Sequence, residues 1–537
     1  MLNTKLREDV KRVSKEMQRF KSGILNDEEW RRFRLQNGIY GVRFQKNIQM
    51  IRVKIPYGEL TSNQLQMLGE IAELFSSGIG HVTTRQDIQM YWISLNAVPE
   101  VLRRLSEVGL TTRESSGHTV RNVTACPLAG VCTKEEFDIT PYAKYIAYYF
   151  MRNPLAQNLP RKFKIAFSSC SEDCALGSIN DLGVIAISKN HNGEQIKGFR
   201  IYVGGGLGSP PRAAHLLEDF TLADDLGVTC ETVLRVFDRL GNRDNLQRAR
   251  MKFLIEKIGI NQFREMIFKE RQVLRVTISG DPNTNVEDTI IDKKLLGITN
   301  NKIDDENFNK WLNTNVVDQK QKGFKSVFIN LIGGDITSTQ FKTLANIANK
   351  YADGYLRTTI RQDIVLRWVD QTKIYDMYLD LKKNNLITSG ANTICDIVGC
   401  QGTDTCNLGV TRSHRLAMKL SEHLLNTEKN MFSKEFEGAD IKVSGCPNSC
   451  GQNHISTIGL FGSAQRVNGR MVPFYQLQLG GSVSEGKVKF GEPIMRIPAK
   501  RVPQAVSEII KLYRLEKKGD ETFVSWINRL QLDEEND

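Results

Sequence analysis

The chain has 537 residues, of which 40% are hydrophobic and 25% charged, with a net charge of +12. That is too long for one core and predicts a soluble globular protein of several domains. No apolar run is long enough to span a membrane, and the opening M-L-N-T-K-L-R-E-D-V-K-R lacks a signal-peptide core, so a cytoplasmic protein is expected.

Lys and Arg are spread along the whole chain, which serves solubility or an anionic partner: nucleic acid, an acidic protein or a polyanionic cofactor. There is no arginine-rich tail, zinc-finger spacing or RNP-type motif, so nucleic acid is not expected. Eight of the ten cysteines fall into spaced pairs, the pattern of metal ligands rather than disulfides.

Residues 1–40 read as a charged helical extension. The next unit, 41–112, recurs later in the chain. I-P-Y-G-E-L-T-S-N-Q and the residues after it, 55–92, align without a gap with L-I-G-G-D-I-T-S-T-Q and its continuation, 331–368. The offset is 276 residues and 14 of 38 positions are identical. Each copy reads strand, helix, strand. Thr61 and Thr337 stand where a helix cap belongs. Leu65, Leu68, Ile71 and Ala72, like Phe341, Leu344, Ile347 and Ala348, recur at helical spacing. A Gly ends each helix, and R-Q-D-I opens an alternating strand.

Region 113–280 carries Cys126, Cys132, Cys170 and Cys174 and ends in basic helices over 229–271. L-P-R-K-F-K-I-A-F precedes Cys170. As a strand it puts Lys162 and Lys164 on one face, with Phe163 and Ile165 on the other. Paired ammonium groups repel unless an anion lies between them. The competing reading is a solvated edge strand guarded by lysines. Arg85 heads R-Q-D-I-Q and Arg121 heads R-N-V-T-A-C-P-L-A-G; taken alone, each reads as a surface arginine. G-G-G-L-G at 204–208 lacks the third glycine of a dinucleotide fingerprint, and reads as a tight turn or as backbone close to a large ligand.

Residues 281–320 read as a linker, from I-S-G-D-P-N-T-N-V-E-D to the polar run 300–307. The second copy fills 321–388. Region 389–530 then carries V-G-C-Q-G-T-D-T-C and V-S-G-C-P-N-S-C-G, and 533–537 reads as a solvated tail. Cys446 and Cys450 follow Cys170 and Cys174 at the same offset of 276, and Cys400 and Cys406 follow Cys126 and Cys132 at 274. The lysine pair has no counterpart, because the second half reads F-E-G-A-D-I-K-V-S-G-C there. Such a duplication is expected to pack as a pseudo-twofold with its site in the seam. Cys230 and Cys395 read as buried thiols.

Four thiolates hold either an iron–sulfur cube or zinc. Gaps of five and three in Gly- and Asn-rich turns differ from the C-x2-C knuckle usual for zinc, and favour a [4Fe–4S] cluster. Zinc, as in a basic nucleic-acid protein, and buried free thiols are the alternatives.

From about Tyr40 to Tyr513 the chain resembles the sirohaem- and [4Fe–4S]-containing sulfite and nitrite reductases. The carrying motifs are T-T-R-Q-D-I-Q, R-N-V-T-A-C-P-L-A-G, L-P-R-K-F-K, V-G-G-G-L-G, and C-x5-C with G-C-P-N-S-C. The resemblance implies an α+β, internally duplicated fold: ferredoxin-like half-domains at 41–112 and 321–388, and mixed α/β sirohaem- and cluster-binding domains at 113–280 and 389–530. It implies that Cys400, Cys406, Cys446 and Cys450 hold the cluster and that Cys450 also ligates the sirohaem iron. Arg85, Arg121, Lys162 and Lys164 match the anion-binding group, and Arg161 a contact to a sirohaem carboxylate. The implied reaction is six-electron reduction of sulfite to sulfide, with nitrite to ammonia as a further or main activity. Lys164 favours sulfite, since plant-type nitrite reductases often carry Asn there. Ferredoxin or a separate flavoprotein would supply electrons to a monomeric or donor-associated enzyme. The cysteines of the first half depart from the family pattern; a relic of duplication is expected, with a second cluster or a structural metal as alternatives.

Overall fold

The computed structural model describes residues 2–45, 47–277 and 304–534. Two helices, Leu2–Lys21 and Asp27–Gln36, open the chain. A reciprocal capping box starts the second: Asn26 Oδ1 accepts from the Glu29 amide, and Glu29 Oε2 from the Asn26 amide, both at 2.9 Å.

Each copy of the repeat builds an antiparallel sheet covered by its own helix and by the helix that follows it, Val98–Glu107 or Ile374–Lys382. Thr61 and Thr337 cap the first helix of each copy as expected. Their hydroxyls accept from the amides of Gln64 and Gln340 at 3.2 Å, and the glutamines accept in return from the threonine amides at 3.0 Å. The helices Ser62–Phe75 and Ser338–Tyr351 bury the periodic residues, Leu65, Leu68 and Ile71 in one and Phe341, Leu344 and Ile347 in the other. They also pack on each other. A Cβ on Gly69 would stand 3.0 Å from Phe341 Cβ and Ser338 O, so the missing side chain sets how closely they approach.

The two copies exchange strands. The first sheet runs Ile39–Gly41, Ile48–Val53, Ile88–Ser94 and Ile79–Val82, and ends on Asp335–Thr337 from the second half. The second runs Val316–Asp318, Phe324–Ile329, Ile364–Asp370 and Tyr355–Thr358, and ends on Glu59–Thr61 from the first. Asp335 pairs with His81, and Tyr355 with Thr61. One hydrophobic core therefore runs through both copies.

The larger units repeat as well. Thr124–Ala125, Ile165–Ser168 and Leu182–His191 pair in parallel, while Glu194–Val203 and His215–Leu222 return antiparallel. Val398–Gly399, Ile441–Ser444, Ile458–Val467, Arg470–Leu479 and Glu492–Pro498 follow the same order and directions. Each sheet has its own core, around Phe163, Phe167, Phe199 and Phe237 in the first half and Tyr475, Tyr513 and Trp526 in the second. This is the duplicated α+β architecture expected from the sequence.

Local differences are physical. The K-F-K segment is joined to the sheet by a Val120–Phe163 bridge and by the Leu182 amide, which donates to Lys164 O at 3.0 Å, and the ladder proper starts at Ile165. Of the stretch read as a linker, residues 281–303 lie outside the described residues, and the rest carries a helix, Glu306–Asn315, and the strand Val316–Asp318. Of the tail at 533–537, the helix Phe523–Glu534 takes in the first two positions and the rest lies outside the described residues. Cys230 and Cys395 are buried. Among the described residues, no helix is long and apolar enough to cross a membrane.

Candidate active site

Parallel pairing of Val398–Gly399 with Ile441–Ser444 brings two loops to the carboxyl ends of adjacent strands, where open sheets commonly bind ligands. Cys400 opens the first loop, its amide donating to Val443 O at 3.1 Å. Cys406 closes that loop after a tight turn, donating to Gly402 O at 2.9 Å. Cys446 and Cys450 belong to the second loop. Gly451 anchors it, because a Cβ there would lie 2.2 Å from Val443 O.

Donors already face the sulfurs. The Gly445 amide donates to Cys400 Sγ at 3.1 Å, Ser413 Oγ lies 3.2 Å from the same sulfur, and Asn448 Nδ2 donates to Cys446 Sγ at 3.5 Å. Burial, then the neighbouring Cys450, pushes the Cys400 thiol up to about 12; burial also raises Cys406 and Cys446. Such thiols stay protonated until a metal cation displaces the proton.

The first half braces these loops across the seam. Arg43 donates from its amide to Thr405 O at 3.2 Å and from Nη1 to Cys406 O at 3.2 Å and Gly409 O at 2.8 Å. Thr84, in T-T-R-Q-D, donates to Cys450 O at 3.0 Å. Cys450 is exposed and lies within electrostatic range of Arg52, Lys162 and Lys164.

The cations divide into two kinds. Arg85 spends Nη1 on Asn180 Oδ1 at 3.0 Å and Nη2 on Ile165 O at 2.8 Å, leaving a buried Nε without a partner. Arg121 spends all three nitrogens on the carbonyls of Gly117 and Ser115, at 2.9–3.1 Å. Burial lowers both, Arg85 to about 9. Lys162 and Lys164, by contrast, have no hydrogen-bond or carboxylate partner for their ammonium groups among the described residues. They flank the fully buried Phe163 and keep part of their surface open. Burial, then Arg250, lowers Lys162 to about 7, and burial, then Arg85 and Lys162, lowers Lys164 well below the ordinary lysine range. Arg161 turns to His118, with Nη1 3.2 Å from Nε2.

Sequence reasoning missed Arg250, Arg52 and Asp181. Arg250 holds Asp181 at 2.8 Å while acting on Arg85, Arg121, Lys162 and Lys164. Asp181 in turn fixes the lysine strand through the Lys164 amide at 2.9 Å. Arg250 was hidden in the basic segment 229–271, with nothing local to distinguish it. Arg52 carried a weak signal, in I-R-V-K, where a central strand carries two cations. The glycine run approaches protein: a Cβ on Gly205 would stand 2.7 Å from Asn180 N.

The family model described as "Nitrite and sulphite reductase 4Fe-4S domain" matches residues 116–274 and 390–534. A second, "Nitrite/Sulfite reductase ferredoxin-like half domain", matches 43–108 and 317–384. The chain is 29% identical over 499 residues to the assimilatory ferredoxin-dependent nitrite reductase of Haloferax mediterranei, covering 90% of this chain and 82% of that protein. It is 26% identical over 493 residues, with the same coverage, to sulfite reductase (ferredoxin) 1 of Mycolicibacterium paratuberculosis. The solved structure of the Mycobacterium tuberculosis NirA protein shares the fold, with a TM-score of 0.82 at 24% identity over 98% of this chain and 96% of that one. Both family models match twice, once in each half, in the order that the exchanged sheets and paired cysteine loops require; the chain belongs to the nitrite and sulphite reductase 4Fe-4S domain family.

Proposed function

We propose that this chain reduces sulfite to sulfide, a six-electron reaction, and also turns over nitrite to ammonia, with ferredoxin as donor. The observation that carries this reading is the pair of ammonium groups on Lys162 and Lys164, without counter-ions among the described residues and within electrostatic range of the exposed Cys450. Crowding two half-buried cations together without partners is costly, and an anionic ligand offsets that cost.

The residues fit the cofactors of the family. Four cysteines on two facing loops, with an amide and an Asn side chain aimed at sulfur, suit a cube. The orphaned Nε atoms of Arg85 and Arg52 and the excess of cations suit a tetrapyrrole rich in carboxylates. Cys400, Cys406, Cys446 and Cys450 would hold the cube, with Cys450 also on the sirohaem iron and Arg161 near a sirohaem carboxylate. When bound, these groups would supply electrons and an iron to bind the anion, chemistry no side chain offers.

The protein contributes binding and protons. Lys162 and Lys164 each present three N–H donors to the oxygens of the anion and neutralise its charge. An ammonium crowded by cations gives up its proton readily, so the same groups serve as acids when oxygen departs as water. Arg121 and Arg250, held by protein carbonyls and by Asp181, act through their field and hold the wall in place, while Arg85 adds its one unpartnered Nε. Sulfite carries more charge and one oxygen more than nitrite, and so makes fuller use of both lysines. The nitrite reading is favoured by the name of the Haloferax mediterranei relative.

Steady-state turnover with reduced ferredoxin on both anions, together with an absorption spectrum, tests this. We expect a chlorin-like band and a higher kcat/KM for sulfite. A much higher value for nitrite would make nitrite the main substrate, and a colourless zinc protein would end the reading.

A further inference from the structure

Cys126, Cys132, Cys170 and Cys174, spread over 49 positions of the first half, converge at one place. Cys126 and Cys174 bring their sulfurs within 3.9 Å. The frame repeats that of the other quartet. Cys126 opens a loop after Thr124–Ala125 and donates to Phe167 O at 2.9 Å, as Cys400 donates to Val443 O at 3.1 Å. Cys170 stands two residues past Ile165–Ser168, as Cys446 stands two past Ile441–Ser444. Both strand pairs are parallel. Exposure matches in the second pair of each quartet, with Cys170 and Cys446 buried and Cys174 and Cys450 exposed, while Cys126 and Cys132 are each more buried than Cys400 and Cys406.

The loop between Cys126 and Cys132 is braced by the opposite half, as its counterpart is. Ala129 O accepts from Arg367 Nη1 at 2.7 Å and Arg357 Nη1 at 3.2 Å, Gly130 O from Gln321 Nε2 at 2.9 Å, and Val131 O from the Lys320 amide at 2.9 Å. Arg357 and Arg367 are themselves buried. They share one carboxylate, Glu59, at 3.2 and 3.6 Å, which leaves about one net positive charge beside the loop of thiols to offset a tetrathiolate cluster, which is net negative.

We infer that Cys126, Cys132, Cys170 and Cys174 hold a second iron–sulfur cluster, a [4Fe–4S] cube in the register position of the first. Spacings of five and three, on the same strand frame as the other quartet, distinguish it from a zinc knuckle. This centre lacks an anion-binding wall. At the offset of 276 the partners of Lys162 and Lys164 are Gly438 and Asp440, and the cavity of about 260 Å³ beside Cys174 is lined by Glu172, Asp440, Lys442 and Gly481. Asp440 pairs there with Lys442 at 3.0 Å and Glu172 with Lys134 at 2.5 Å, so among the described residues no unpartnered pair of ammonium groups stands at the second cube as Lys162 and Lys164 stand at the first.

Iron and acid-labile sulfide per chain, measured on anaerobically purified full-length holoenzyme, test this. The Cys126→Ala/Cys170→Ala variant should lose about four irons and about four sulfides relative to wild type, with haem absorption kept. The difference between the two proteins reports the first half whatever the loading of the second. Equal iron in both, or zinc as the metal lost, would overturn the inference. Should the variant fail to fold, the wild-type count decides: about nine irons supports two cubes and a haem, and about five refutes the second cube.

Discussion

Lys162 and Lys164 differ from the arginines around them in that, among the described residues, their whole ammonium groups are without a protein partner, whereas Arg85 keeps one nitrogen free and Arg121 none; two predictions rest on that. Lys164→Asn keeps a donor but removes a charge. Sulfite kcat/KM should fall by roughly a hundredfold, about 2–4 kcal/mol of transition-state stabilisation, and nitrite by less; an equal fall would remove the basis for preferring sulfite. Lys162→Arg keeps the charge but replaces a group lowered to about 7 with one that hardly releases a proton. KM should change little while kcat falls. In the wild type, affinity should weaken as pH rises through the lysine pKa, and the variant should keep its affinity in that range. Loss of binding and of kcat together in the variant would show that Lys162 only binds. The lysine pair was legible as K-x-K on one face. That Arg121 is tied to carbonyls was not, because backbone acceptors leave no trace in sequence.

The R-Q-D turn shows what a short element can couple. Gln86 and Gln362 both adopt positive φ, and each reaches across the seam. Gln362 Nε2 donates to Val82 O at 3.1 Å while its Oε1 accepts from the Gly399 amide at 2.8 Å, one residue before Cys400. Gln86 does the same with Thr358 O at 2.7 Å and the Ala125 amide at 2.8 Å, one residue before Cys126. Gln362→Ala leaves a buried amide and a buried carbonyl unpaired, so the midpoint of urea unfolding should drop, by about 2–4 kcal/mol in stability. Less iron should be retained in the second-half cluster, and an unchanged midpoint would mean that water replaces the side chain at no cost. The helix caps in these units were readable from T-S-x-Q, since capping is local. The motif's glutamine was not, since the carbonyls it binds lie 272 and 280 residues away and the amides 39 and 37.

Across the whole molecule, exchanged strands make the two halves one cooperative body. Hydrogen bonds within a half have sequence signatures, whereas the exchange depends on which half completes which edge, and either choice satisfies the same alternating pattern. At one junction Asp335 Oδ1 lies 3.0 Å from His81 Nδ1 and Oδ2 lies 3.3 Å from His414 Nε2. Burial would raise this carboxyl, but hydrogen bonds from His414 and His81 bring it down to about 2. A carboxylate with a lowered pKa contributes above its ordinary range and loses that contribution as pH falls toward the folded value. Asp335→Asn should therefore cost about 1–3 kcal/mol near neutral pH, and the gap to wild type should close between about pH 4 and pH 2. A gap that does not change with pH would assign the effect to packing. The duplication itself and the position of its four-cysteine loops were plain from spacing, because two copies of one fold repeat their ligand frame.

The central claim is that Cys450 and the lysines facing it form one reducing centre in the seam. Ferredoxin-driven turnover of sulfite by Cys450→Ser tests it most directly. The account predicts turnover lost to the limit of detection, and a variant that reduces sulfite at the wild-type rate would contradict it.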